Sequence, residues 1–165
     1  VNQVVLGLGS NRGDSIMILR KAVCQLSEVL SSIRVSSLYK TRAQDFIDQD
    51  DYYNIVVSGW TSSSPEELHM YTSLIEVQYG RNREIEISKG PRTLDIDIEI
   101  FGTRVIETRN LRIPHERMMM RQFVLVPLIE LLPYSADCVT GRLYREVCEN
   151  LPDQGILKAG SLHGN

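Results

Sequence analysis

From Leu94 to Ile100 the side chains alternate, with Leu94, Ile96, Ile98 and Ile100 apolar and Asp95, Asp97 and Glu99 acidic between them. A period of two sends the two sets to opposite faces of a β-strand. The apolar face needs a core. The acidic face needs water, a cation or a basic partner, because ionised carboxylates are not buried alone. A chain with such a strand is therefore committed to a sheet with one covered face.

The cover is written earlier in the chain. Val4 to Gly9 reads as a central strand. Ile16, Leu19, Val23, Leu26 and Leu30 then recur at spacings of three and four, which predicts a helix from about Asp14 to Leu30. Ile33 to about Thr41 reads as a second strand, Arg42 to Asp51 as a polar loop, and Tyr52 to Trp60 as a third strand. In SSSPEEL, Ser64 suits the N-cap, Pro65 the first helical position and Glu67 the partner position of a capping box. The helix carries Leu68, Tyr71, Leu74 (or Ile75) and Gln78 toward a stop at Gly80. A charged loop, Arg81 to Lys89, leads into the acid-bearing strand. The order is strand–helix–strand–strand–helix–strand, the βαββαβ pattern of an α+β, ferredoxin-like antiparallel sheet. Two helices cover one face of such a sheet. Additional C-terminal elements remain for the other: a hairpin within Thr103–Leu111, the loop IPHERMMMR and a short helix around Phe123–Leu132. Residues 1–160 are expected to form one domain and 161–165 a flexible tail.

Composition limits what such a domain can meet. With 165 residues, 42% apolar and 24% charged, the chain is long enough to bury a core. A formal net charge of -3 gives no general attraction to nucleic acid or an anionic membrane, so neither is an expected partner and any anion site must be local. Nine of the 18 basic residues do lie between Arg81 and Arg121, framing the acidic strand. Cys24, Cys138 and Cys148 are widely spaced and form no CxxC pair, which argues against a disulfide scaffold or structural zinc. No apolar run reaches the roughly 18 residues needed to span a bilayer. The first residues do not read as a secretory leader, and a cytoplasmic protein is the expectation.

Asp95 and Asp97, two apart, converge on one side of their strand. Two carboxylates held together raise each other's pKa, and a divalent cation relieves that cost; carboxylate oxygens beside phosphate favour magnesium. A solvent-facing strand edge is the plainer alternative. Glu99 is expected to be solvated or paired with a base rather than a metal ligand. Arg92 stands just before the strand, where a guanidinium could fork onto phosphate oxygens. His115 follows Ile113–Pro114, a restricted approach, and either donates to a phosphate or caps a turn. His69 and His163 form no metal cluster. GLGSNRG has neither a dinucleotide fingerprint nor a P-loop ending, and its glycines are better suited to close backbone approach. Asn54 in the apolar YYNIVV strand could read a heterocycle edge, with Tyr52 on the same face and Phe123 as a second ring, or could simply tie loops together.

Taken in order, LGLGSNRGD, SSLYKT, DYYNIVV, SPEEL with IEVQYGR, GPRTLDIDI, IPHERM and RQFVLVPL resemble the 6-hydroxymethyl-7,8-dihydropterin pyrophosphokinases of folate biosynthesis over roughly Val4 to Leu132. The resemblance implies transfer of pyrophosphate from ATP to the pterin hydroxymethyl group, with release of AMP. It implies two Mg2+ ions on Asp95 and Asp97, with ATP as co-substrate. Arg81, Arg83, Arg92, Ile98, His115 and Arg121 match nucleotide-site positions, and Arg92, His115 and Arg121 match catalytic ones. Thr41, Tyr52, Asn54, Phe123 and Asp95 match the pterin side, Glu76 a supporting carboxylate, and Ser10 and Asn11 the opening loop. A monomer or weak homo-oligomer is implied. The stretch RAQDFIDQD, Arg42 to Asp50, lacks the proline and glycine usual in the family, and Lys89 replaces an aromatic before Gly90. Two other readings stay open here: a pyrophosphokinase for another heterocyclic alcohol, and a ferredoxin-like module that stacks RNA bases.

Overall fold

The computed structural model describes residues 1–41, 51–80 and 93–163. In chain order these form β1 (Asn2–Ser10), α1 (Ser15–Leu26), β2 (Ser31–Val35), β3 (Tyr39–Thr41), β4 (Tyr52–Thr61), α2 (Pro65–Gln78) and β5 (Asp95–Phe101). A small hairpin, β6 (Ile106–Glu107) and β7 (Arg112–Ile113), follows. Then come a 3-10 turn at Met118–Met120, α3 (Gln122–Leu131), α4 (Tyr144–Glu149) and β8 (Leu157–Lys158). The sheet order is β5-β1-β4-β3-β8, with β2 also pairing β4, and every pairing is antiparallel. This is the α+β, ferredoxin-like arrangement expected from the element order, with β8 added at one edge.

Local chemistry sets the element ends. Asp14 caps α1 by accepting the Met17 N–H at 3.2 Å. The apolar stripe runs on to Leu30, yet the helix stops at Leu26, because Glu28 and Val29 donate three residues back, to Gln25 and Leu26, and tighten the turn. Leu30 is still buried, so the stripe was real and only its last turn is not α-helical. Ser64 and Glu67 form the reciprocal capping box of α2, at 3.1 and 2.9 Å. Ile75 rather than Leu74 faces the core: Ile75 is 2% exposed and Leu74 58%. The strand expected from Ile33 to Thr41 is divided at Ser36, whose hydroxyl accepts the Val56 N–H at 2.9 Å in place of a regular ladder. The hairpin sits a few residues later than expected, at 106–113.

Two cores lie on the two sheet faces. Leu6, Leu8, Ile55, Val57, Ile96 and Ile98 pack beneath α1 and α2 with Leu19, Leu26, Leu68 and Ile75. On the other face Val5 and Val56 pack against Val124, Leu125 and Leu128 of α3 and Tyr144 and Val147 of α4. α4 and β8 had no clear signature in the sequence. The loose tail expected from residue 161 is corrected at Leu162, which is 1% exposed within the first core. Arg20 Nε donates to the Leu162 carbonyl, and Leu38 and Ala159 bond the adjoining backbone at 2.7 Å.

Candidate active site

On the α3 side of the sheet, apolar packing ends at Val5 and Val56. Beyond it the strands carry different residues in register. One row across the sheet reads Tyr39, Asn54, Gly9, Asp95, and the next reads Val56, Gly7, Asp97. Asn54 and Asp95 are thus two strand spacings apart, about 10 Å, with only a glycine between them. The glycines make the floor. A Cβ on Gly9 would stand 2.9 Å from Asn54 Oδ1, and one on Gly7 would stand 2.7 Å from Glu99 Oε1. Neither motif usually sought in GLGSNRG explains them; their period of two, matched to that of the acids, does.

The acidic row itself is broken by a bulge. Val5 pairs with Ile100 and Leu6 with Ile98, leaving Glu99 as the extra residue. The alternation therefore slips, and Ile100 packs with Val5 in the second core instead of joining Ile96 and Ile98. Of the two settings expected for Glu99, solvation or a basic partner, solvation is excluded, and Arg121 is the base whose charge acts on it. Glu99 is 1% exposed, and its Oε2 has no hydrogen-bond partner among the described residues. Burial pushes this carboxyl well above the ordinary range, Asp97 adds to the effect and Arg121 opposes it.

Asp95 and Asp97 are partly exposed and share the floor. Buried Glu76, at the end of α2, accepts the Ile96 N–H at 3.0 Å, and so fixes the backbone between the two aspartates. Three residues after Leu94, Asp97 is reached by two basic groups: His115 Nε2 at 3.8 Å and Arg121 Nη1 at 4.0 Å. His115 arrives there because its own N–H donates to the Glu99 carbonyl at 3.0 Å, just after a cis Ile113–Pro114 peptide. The Arg117 N–H donates to His115 Nδ1 at 3.2 Å, which leaves the proton of a neutral ring on Nε2, facing Asp97. Burial lowers the His115 pKa and Arg121 lowers it further, against Glu116 and Asp95. Both leading causes favour the neutral ring, whose Nε2–H is a hydrogen-bond donor on the Asp97 side.

The opposite end of the floor suits a flat ring. Asn54 Nδ2 donates to Thr41 Oγ1 at 3.1 Å, and Tyr52 pairs with Thr41 across the ladder. Phe123, the second residue of α3, lies instead toward the acid end, its ring centre 5.3 Å from the Arg121 guanidinium that reaches Asp97. Ile98 stands apart, since its side chain is buried on the α1–α2 face and only its backbone could meet a ligand here. Ser10 is also withdrawn: it is fully buried and donates to Ser15 Oγ at 2.9 Å. Asn11 lines a separate cleft of about 430 Å3 with Gly13, Ser15, Lys40, Asp51 and Tyr53. That cleft holds none of the acid row, and its lysine is already ion-paired with Asp51 at 3.6 Å. Arg81, Arg83 and Arg92, with the loop Arg42–Asp50, lie outside the described residues.

The donor set fits magnesium carried by a polyphosphate. Asp95 and Asp97 are hard oxygen ligands, and no group of three or more His, Cys, Asp or Glu gathers for a metal among the described residues. Magnesium keeps several waters and takes one or two carboxylates beside substrate phosphates, so two are sufficient.

The family model for 7,8-dihydro-6-hydroxymethylpterin-pyrophosphokinase (HPPK) matches residues 5–133. This chain belongs to the HPPK family. A 2-amino-4-hydroxy-6-hydroxymethyldihydropteridine pyrophosphokinase of Aquifex aeolicus is 35% identical over 155 residues, 94% of this chain and 93% of that one. The Bacillus subtilis enzyme of the same description is 42% identical over 132 residues, covering 79% and 78% of the two chains. Among solved structures, a Plasmodium falciparum HPPK-DHPS matches 90% of this chain with a TM-score of 0.71 at 17% identity. The HPPK chain described here spans 43% of that longer protein, and the likeness is one of fold.

Proposed function

We infer that this chain is an ATP-dependent pyrophosphokinase that transfers pyrophosphate to the hydroxymethyl group of 6-hydroxymethyl-7,8-dihydropterin, a step of folate biosynthesis. The observation that carries the reading is the meeting of Asp97 with His115 and Arg121 over a glycine floor, in a chain of this family. The substrate hydroxyl oxygen attacks the β-phosphorus of ATP, the bond from that phosphorus to the α–β bridging oxygen breaks, AMP leaves with that oxygen, and the hydroxyl proton is released to water.

Asp95 and Asp97 would hold the magnesium, two ions by the family pattern. Bound magnesium neutralises phosphate charge and acidifies the attacking hydroxyl. Both aspartates are then occupied as ligands, and neither serves as general base. His115 donates its Nε2 proton in a hydrogen bond to a phosphate oxygen, and Arg121 stabilises the charge that grows there. Arg92, with Arg81 and Arg83, supplies further guanidinium donors to the triphosphate. Asn54 and Thr41 read the edge of the pterin, and Tyr52 and Phe123 hold its faces. The exposed free thiols of Cys24 and Cys138 suit a reducing cytoplasm. Among the described residues no helix is long and apolar enough to cross a membrane.

The test is direct. Incubation with ATP, magnesium and 6-hydroxymethyl-7,8-dihydropterin should give AMP and the pterin pyrophosphate in equal amounts. Formation of ADP instead, or no pterin-dependent AMP, would overturn the assignment.

A further inference from the structure

Arg121 links two short elements: its N–H donates to the Met118 carbonyl at 3.2 Å, and its carbonyl accepts the Val124 and Leu125 N–H groups at 3.1 and 3.0 Å. It lies between the 3-10 turn and α3, with φ -119° and ψ 105°, and serves as the N-cap of α3 without any side-chain cap bond. The first N–H groups of a helix have no partner within it and need one from elsewhere. For α3 that partner comes from a distant part of the chain.

Gln154 lies beyond residue 133, where the family match ends. Its Oε1 accepts the Gln122 N–H at 2.9 Å. Its Nε2 donates to the Met120 carbonyl at 2.9 Å. Its backbone N–H donates to Gln122 Oε1, also at 2.9 Å. These three bonds grip the residues on both sides of Arg121 and leave Arg121 itself untouched. Gln154 is in turn shaped by a tight turn, in which Asp153 Oδ1 accepts the Gly155 N–H at 2.9 Å and Gly155 has φ +73°. From the backbone so fixed, the Arg121 side chain crosses the Phe123 ring to within 4.0 Å of Asp97.

We propose that Gln154 is a positioning residue for pyrophosphoryl transfer, a splint that sets the direction in which Arg121 leaves the backbone; this rests on the pyrophosphokinase reading above. A long side chain magnifies any rotation at its root. A catalytic group displaced by about 1 Å can lose on the order of 100-fold in rate. A residue with no contact to substrate can therefore govern kcat.

Gln154→Ala should speed hydrogen exchange at the Gln122 amide and lower kcat for AMP formation by roughly 10- to 100-fold, with KM for the pterin little changed. In an Arg121→Ala background the same change should cost nothing more, because its effect passes through Arg121. Gln154→Glu keeps the acceptor for Gln122 but loses the donor to Met120, and should fall between. An unchanged kcat despite faster Gln122 exchange would reduce Gln154 to a helix cap. Full additivity with Arg121→Ala, or unaltered Gln122 exchange, would overturn the splint. A wild-type chain that forms no AMP would overturn the functional reading and the catalytic role of the splint with it, whereas unaltered Gln122 exchange, read without turnover, would overturn the splint alone.

Discussion

At residue scale the chemistry depends on which side chains are missing as much as on which are present. Gly9 leaves open the span between Asn54 and Asp95, and a methyl there would press on Asn54 Oδ1 at 2.9 Å. Gly9→Ala should raise KM for the pterin several-fold with KM for ATP nearly unchanged, and should cost about 1–3 kcal/mol of stability on denaturant titration. Equal loss of both substrates would argue against a floor on the pterin side. Asp97→Ala removes a proposed magnesium ligand and the group toward which His115 and Arg121 converge. Turnover should drop roughly 1,000-fold with a native circular dichroism spectrum, and magnesium-dependent AMP formation at the wild-type rate would contradict the ligand role. Asp95 and Asp97 could be singled out from the sequence, as period two places them together. The fate of Glu99 could not, because one bulged residue reversed what came after it.

At the scale of elements, stability comes from caps and cross-links that differ in legibility. The capping box of α2 was readable in SSSPEEL and is formed as read. Ser64→Ala should lower stability by about 1 kcal/mol in thermal unfolding and leave kcat alone, since α2 faces the opposite side of the sheet from the floor. Less legible is Glu130 of α3, which accepts from Tyr39 Oη at 2.6 Å and from Ser37 N and Oγ at 2.7 and 3.1 Å. Burial would raise its pKa, but these bonds outweigh burial and the folded value lies below the ordinary 4.5. A depressed folded pKa means that the link is complete above the unfolded value and is lost as pH falls through the folded one. Glu130→Gln should therefore destabilise the protein at pH 7 by on the order of 1 kcal/mol at most, given its exposure, and the gap from wild type should close in more acidic urea titrations. No local pattern announces a carboxylate whose partners are more than 90 residues away.

Across the whole molecule, the part of the chain beyond the acid strand completes the domain. α3 and α4 cover the second face of the sheet, β8 extends its edge beside β3, and Leu162 fills a place in the first core. Leu162→Ala should cost about 2–5 kcal/mol, seen as an earlier urea midpoint with an unchanged slope. A wild-type midpoint would mean that the segment is only laid against the domain.

Local information sufficed for what depends on neighbours in the chain. Hydrophobic period gave the βαββαβ order, a serine and a glutamate three apart gave a helix start, and alternation put two aspartates on one face. Residues brought together across strands were beyond its reach. The glycine floor exists through register, His115 meets Asp97 because its backbone bonds to Glu99, and Gln154 braces the ends of Arg121 from the far end of the chain. Each of these contacts joins residues separated by a closed loop whose entropy cost is met by the fold as a whole, and nothing in a short window records it.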